Sequence, residues 1–308
     1  MSLEEELAEL SSKKETLLTI GVFDGVHLGH KHLFKRLTLQ AEKQNLISSV
    51  ITFNQHPQAV LSPQNKLPFL TGLEQKIRLI KNEGIKVVIT LSFTPELAQT
   101  SAHQIVSLLQ KHLRMRGLVL GPDSALGRNR EGNINTLRTL GQNMNFSVIV
   151  VPQATINGEV VSSTIIRSAL DKGDMKKVYN MSGRYFRLEG RVITGNSRGV
   201  ELGFPTANLD IDPQQALPAD GVYAALAYID NKSHQSVVNI GKRPTFGDGR
   251  RIVEVYILDY HGDLYRYDLK IDIIERLRGE KRFTTVEELK KQITKDVKRA
   301  RIILKGTK

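Results

Sequence analysis

Short apolar runs alternate with longer amphipathic stretches through the first half of the chain. Leu17 to Val22 reads as a buried strand, and Lys31 to Leu46 carries the three-to-four spacing of an amphipathic helix. The pattern then predicts a strand over Ser48 to Phe53, a helix over Leu73 to Asn82 and a strand over Val87 to Leu91. A helix around Ser101 to Leu113 leads to a strand at Leu118 to Leu120. Ile134 to Met144 reads as a helix, Phe146 to Val151 as a strand and Ser163 to Lys172 as a helix. That β-α-β-α order predicts a parallel, doubly wound sheet whose ligands sit at the carboxyl ends of the strands.

From Tyr185 onward the pattern changes. Gly221 to Ile229, Ser236 to Ile240, Ile252 to Leu258 and Leu269 to Ile274 are rich in Val, Ile and Tyr, with Gly, Pro, Asn and Asp between them. Such punctuation predicts an antiparallel sheet, and a β-barrel is expected for this half. Val286, Leu289, Ile293, Val297 and Ala300 then recur at helical spacing and predict a terminal helix over Thr285 to Leu304. The junction is expected near Ser182, giving domains at 1–182 and 183–308.

A length of 308 residues suits two domains of ordinary size, and 40% hydrophobic with 25% charged residues is a normal globular balance. No apolar run is long enough to span a membrane, and Met1 to Lys14 lacks the apolar core of a signal peptide. The absence of cysteine excludes disulfides and thiolate chemistry. A cytoplasmic protein is expected. The net charge of +12 fits nucleic-acid binding, sites for phosphate-rich small molecules or a solvated basic surface. Basic residues are spread along the chain and aromatics are only 6%, so the charge does not single out nucleic acid.

Candidate chemistry in the first half begins at Gly21-Val22-Phe23-Asp24-Gly25-Val26-His27-Leu28-Gly29-His30, a strand end, a glycine turn and a helix start. Gly25 and Gly29 let the backbone approach a ligand, and the helix start offers N–H groups to phosphate. His27 and His30 are three apart and share a face, which suits a centre where negative charge builds. Ser163 and Thr164 open a later helix, either as an ordinary cap or as phosphate contacts.

These residues resemble the His-x-Gly-His signature of nucleotidylyltransferases, and more narrowly of bacterial FAD synthetases. The resemblance implies a Rossmann-like domain in which His27 and His30 contact ATP phosphates and stabilise the transition state at the α-phosphorus. It implies that Gly21, Phe23, Asp24, Gly25 and Gly29 form the nucleotide turn. Ser163, Thr164 and Arg167 are then expected at the phosphates, with Arg167 neutralising the pyrophosphate leaving group. Asp123 is expected on the flavin side, yet Ser124 and Ala125 follow it where the family carries aromatic rings. Gln55 likewise stands where the family has proline, and His56 serves either a phosphate or a loop cap.

The second half holds the most specific run, Leu202-Gly203-Phe204-Pro205-Thr206-Ala207-Asn208-Leu209, after Gly190 to Gly195 and before Leu217-Pro218-Ala219-Asp220-Gly221-Val222-Tyr223. It contains no Gly-rich P-loop and no protein-kinase signature. Thr206 and Asn208 offer hard oxygen atoms suited to Mg²⁺, or are turn residues around Pro205. On Ile252 to Ile257, Val253, Val255 and Ile257 share one face, so Glu254 and Tyr256 share the other. Glu254 therefore faces either solvent or a ligand cleft.

This half closely resembles riboflavin kinase, a six-stranded antiparallel barrel. The resemblance implies Mg²⁺ on Thr206 and Asn208, Glu254 as the general base for the ribityl 5′-hydroxyl, and nucleotide contacts at Gly195, Gly203 and Pro205. Arg278 and Glu280, in Leu277 to Phe283, are expected near the flavin. Asn239 to Gly247 also matches a family stretch, while Val200 stands where a basic residue is common. The two resemblances together imply a bifunctional enzyme with ATP, riboflavin and FMN as substrates and Mg²⁺ as cofactor. Neither nucleic acid nor a membrane enters that expectation, and no oligomeric state follows from it. The alternatives are a kinase whose first half is degenerate or redirected, and a basic nucleic-acid-binding protein.

Overall fold

The computed structural model describes residues 2–62, 64, 67–194, 199, 202–242 and 251–307. Contacts divide the chain into two compact units, Met1–Ser163 and Thr164–Lys308.

The first unit is built on five parallel strands: β1 (Thr16–Ile20), β2 (Ile47–Phe53), β3 (Val87–Leu91), β4 (Met115–Leu120) and β5 (Ser147–Val150). Their order is β3-β2-β1-β4-β5. The helices are α1 (Leu3–Glu9), α2 (Leu28–Lys43), α3 (Pro57–Leu61), α4 (Leu73–Asn82), α5 (Pro95–Gln99), α6 (Ala102–Leu113) and α7 (Ile134–Met144). A short hairpin, β6 (Thr155–Ile156) with β7 (Glu159–Val160), completes the unit.

Both faces of the sheet are covered, which is why its strands read as continuous apolar runs. Leu17, Val50 and Val119 pack with Phe34, Leu37 and Ile80 of α2 and α4 on one side. Leu18, Ile51, Leu118 and Leu120 pack with Leu7, Leu109 and Leu137 of α1, α6 and α7 on the other. Strand order reverses between β1 and β4, so a crevice for ligands opens at their carboxyl ends.

The second unit carries α8 (Ser163–Lys172) apart from its first residue, α9 (Met175–Ser182) and six strands: β8 (Phe186–Ile193), β9 (Ala207–Asp210), β10 (Gly221–Ile229), β11 (Lys232–Lys242), β12 (Arg251–Ile257) and β13 (Asp268–Arg278). They close into an antiparallel barrel in the order β10-β11-β12-β9-β8-β13. A terminal helix, α10 (Val286–Leu304), lies on the outside, where Ala300 and Leu304 pack on Val222, Ala224 and Leu226 of β10. With Tyr223, Ala225 and Ala227 also buried, both faces of β10 are covered.

The division falls earlier than the expected junction near Ser182, because α8 and α9 group with the barrel. Ala219 N donates to Leu170 O (2.8 Å), which ties the α8 end to the loop before β10, and Arg276 Nη2 of β13 donates to Asp220 O of the same loop (2.6 Å). Strand β4 begins at Met115 rather than Leu118. Arg116 and Gly117 interrupt the apolar run, and a Cβ at Gly117 would crowd Ser147 Oγ and the buried Leu17 side chain.

Candidate active sites

In the first unit the turn from Gly21 to His27 leaves β1, beside the strand where the sheet order reverses. Its backbone is strained: Phe23 has φ 49° and Val26 φ 36°, and a β-branched residue rarely adopts such an angle. Strain of this kind persists only where surrounding bonds enforce it. The buried Asp24 carboxylate accepts from Leu70 N (2.9 Å) and Thr71 N (3.2 Å), and Gly25 N donates to Thr71 Oγ1 (3.1 Å). Ser163 Oγ donates to Asp24 O (2.8 Å). Asp24 and Ser163 therefore shape the turn. Gly21 is required because a Cβ there would meet the Phe23 ring at 2.8 Å.

His27 is the N-cap of α2, with Nδ1 accepting from His30 N (3.3 Å). A neutral imidazole that accepts at Nδ1 carries its proton on Nε2. The two rings stack with centroids 3.6 Å apart, and Phe23 meets His30 edge-on at 5.2 Å. A Cβ at Gly29 would sit 3.1 Å from the His27 ring and 3.3 Å from Val161 O, so glycine makes room for the pair. The site thus gathers two imidazoles and the opening N–H groups of a sixteen-residue helix.

His56 caps α3, its Nδ1 accepting from Gln58 N (3.1 Å), and Gln55 Nε2 donates to Phe93 O (2.9 Å). Asp123 follows β4. Its carboxylate accepts from Gln153 Nε2 and its carbonyl from Arg130 Nη2 (2.7 Å), so Asp123 joins the loops after β4 and β5. Thr164 and Arg167 lie on the first turns of α8, whose buried side is Ile166, Ala169 and Leu170. Sequence reasoning passed over Thr71 and Lys76. Lys76 Nζ donates to Phe53 O (2.8 Å) and Val22 O (3.3 Å). Its signal was a lysine three residues after Leu73 and four before Ile80, on the apolar stripe of α4.

In the second unit the pairing register builds the site. Asn208 of β9 lies opposite Glu254 of β12, which lies opposite Asn239 of β11. Opposed residues hold their Cβ atoms about 4.5–5.5 Å apart, so the three polar side chains form one rung. The rung is on the outer face, since Val253 and Val255 fill the inside at 1% exposure each. Asn239 Nδ2 donates to Glu254 Oε2 (3.3 Å), and Asn208 is buried although polar. Thr206 and Pro205 are exposed just before β9, Gly203 has φ 83°, and Phe204 packs edge-on to Tyr256 at 5.6 Å. In the sequence Asn239 only opens the run to Gly247, and nothing local marks it as a partner of Glu254.

Arg278, at the end of β13, forms an ion pair with the buried Asp296 of α10 (2.9 Å) and stacks 5.8 Å from the Phe283 ring centroid. The Glu280 carboxylate lies against Gly241, where a Cβ would clash with Oε1. Gly195, Val200 and residues 243–247 lie outside the described residues.

Residues 9–165 match the family model described as FAD synthetase, and residues 182–304 match that described as riboflavin kinase. The bifunctional riboflavin kinase/FMN adenylyltransferase of Escherichia coli (strain K12) is 35% identical over 92% of this chain and 91% of its own length. This chain belongs to that bifunctional family. The relative of the same description from Pseudomonas fluorescens is 36% identical, over 92% of each chain. A solved structure described as a macrolide-efflux protein from Streptococcus pneumoniae shares the fold, with TM-score 0.87, 29% identity and coverage of 94% of this chain and 95% of that one. Among the described residues no helix is long and apolar enough to cross a membrane. Riboflavin kinase and FMN adenylyltransferase are the two activities of that family.

Proposed function

We propose that this protein converts riboflavin to FMN in its barrel and FMN to FAD in its α/β half, using ATP in both. The observation that carries the reading is the register that sets Asn208 beside Glu254, in a chain that also stacks two imidazoles, His27 and His30, at a helix start.

In the kinase step the riboflavin 5′-hydroxyl attacks the γ-phosphorus of ATP, the bond to ADP breaks, and Glu254 takes the hydroxyl proton. Asn239 orients the Glu254 carboxylate through the 3.3 Å hydrogen bond. The Thr206 hydroxyl and the Asn208 amide oxygen are uncharged hard donors, and no cluster of three His, Cys, Asp or Glu that could hold a metal occurs among the described residues. Such a set fits Mg²⁺, which prefers hard oxygen donors and keeps several waters. Thr206 and Asn208 would hold it, and it would supply positive charge to offset that of the phosphates. Gly195, Gly203 and Pro205 are assigned to the nucleotide, Arg278 and Glu280 to the flavin side.

In the adenylyl step an FMN phosphate oxygen attacks the α-phosphorus and pyrophosphate leaves. The N–H groups of α2, His27 Nε2 and His30 donate to the oxygens on which charge builds. The turn of Gly21, Phe23, Gly25 and Gly29 approaches the nucleotide; Ser163 and Thr164 serve the phosphates, Arg167 the pyrophosphate, and Asp123 the acceptor side. We take residues 1–182 as this half and 183–308 as the kinase half. We place both steps in the cytoplasm, as the sequence composition leads us to expect.

The test is chromatography of products formed from riboflavin, ATP and Mg²⁺. FMN followed by FAD is expected. FMN alone would remove the adenylyl assignment, and no flavin product would remove both.

A further inference from the structure

The carboxyl end of the first unit's sheet holds a buried cation that no role above uses. Lys76 of α4 is only 6% exposed, and its ammonium bridges Phe53 O, at the end of β2, and Val22 O, just past β1. The Val22 carbonyl also accepts from Thr52 Oγ1 (3.0 Å). Together with the Asp24 bonds to Leu70 and Thr71, this makes residues 70–76 a grip on both sides of the strained turn. Other strand ends in the sheet are satisfied by neutral donors, as in Asn54 N to Leu91 O (3.0 Å) and Val151 N to Leu120 O (2.8 Å). A neutral donor satisfies a carbonyl without taking a charge out of water. Burial pushes the Lys76 ammonium down to about 8, and the Asp24 carboxylate offsets only part of that shift. The fold therefore retains a cation at a cost to itself, behind the turn where anionic phosphates are expected.

We propose that Lys76 is a positioning residue for adenylyl transfer. By tying the ends of β1 and β2 it holds the Phe23–Val26 turn in the shape that aims His27 and His30, and it adds fixed positive charge behind the phosphate site. This rests on the reading of the first unit as the FMN adenylyltransferase.

The experiment compares wild type with Lys76→Met, Lys76→Arg and Lys76→Gln in the full chain, following FAD from supplied FMN, FMN from riboflavin, and melting. Misplacing a catalytic group by about 1 Å costs on the order of a hundredfold, so kcat for FAD formation should fall by about that factor in Lys76→Met. KM for FMN and the rate of FMN formation should stay within about twofold, and Lys76→Arg should recover more activity than Lys76→Gln, because only the former keeps the charge. Should Lys76→Met not fold, the arginine–glutamine comparison decides. Glutamine equal to wild type, or a rise in KM with kcat unchanged, would overturn the proposal. A wild type that makes FMN but no FAD would sink the adenylyl reading itself, and Lys76's role with it.

Discussion

Glu254 lies between two asparagines on neighbouring strands, so its carboxylate is held from Asn239 while Asn208 stands opposite. Glu254→Gln keeps the shape and removes the base. FMN formation should fall by about 10²- to 10⁴-fold, the usual worth of general-base catalysis, while FAD formation from supplied FMN persists. Product chromatography with each substrate in turn checks both. Lys76 gives a pH prediction. Its folded value of about 8 lies below the ordinary 10.5, so between those values the unfolded chain binds the extra proton. Stability must then rise with pH across that window. Relative to Lys76→Met, wild type should gain up to about 3 kcal/mol between pH 8 and 10.5, as read from denaturant unfolding. A flat difference would show that burial does not strain this ammonium.

At the scale of elements, helix ends and strand pairings carry the sites. His27 both caps α2 and supplies an imidazole. Asparagine is a strong N-cap, so His27→Asn should leave stability within about 1 kcal/mol while FAD formation falls. An equal loss of both would mean that capping is all His27 does. The Arg278–Asp296 pair joins β13 to α10, with Asp296 only 5% exposed. Arg278→Met leaves that carboxylate buried without its cation, which costs about 3–5 kcal/mol. Adding Asp296→Leu should restore most of the melting temperature. Failure to recover would mean that Arg278 acts elsewhere than on α10. Elements with strong periodicity are legible locally: the helices Leu73–Asn82 and Ile134–Met144 and the strands Val87–Leu91 and Gly221–Ile229 fall where the pattern predicts. Helix α1 is not, because its residues are mostly acidic and its fold depends on burying Leu7 and on the Ser2–Glu5 capping box. Strand β11 runs from Lys232, well before the apolar Ser236 to Ile240, because its polar start is recruited by pairing with β10.

For the whole molecule, two sites in two compact units predict separable activities. His30→Ala should reduce FAD formation by about 10²- to 10³-fold, the usual worth of one transition-state donor, and leave FMN formation unchanged. Parallel loss of both would argue against two sites. The amino-acid sequence alone determined the two-part architecture, the order of the halves and the motif runs around His27, His30, Thr206 and Asn208. Periodicity, glycine turns and caps are local properties, written over a few consecutive residues. Tertiary structure alone decided that Glu254 meets Asn208 and Asn239, that Arg278 is drawn to α10, and that Lys76 crosses to the ends of two strands. Those contacts follow from strand order, register and burial. Each joins residues far apart in the chain, where a pattern of neighbours carries no information about which pairs will meet.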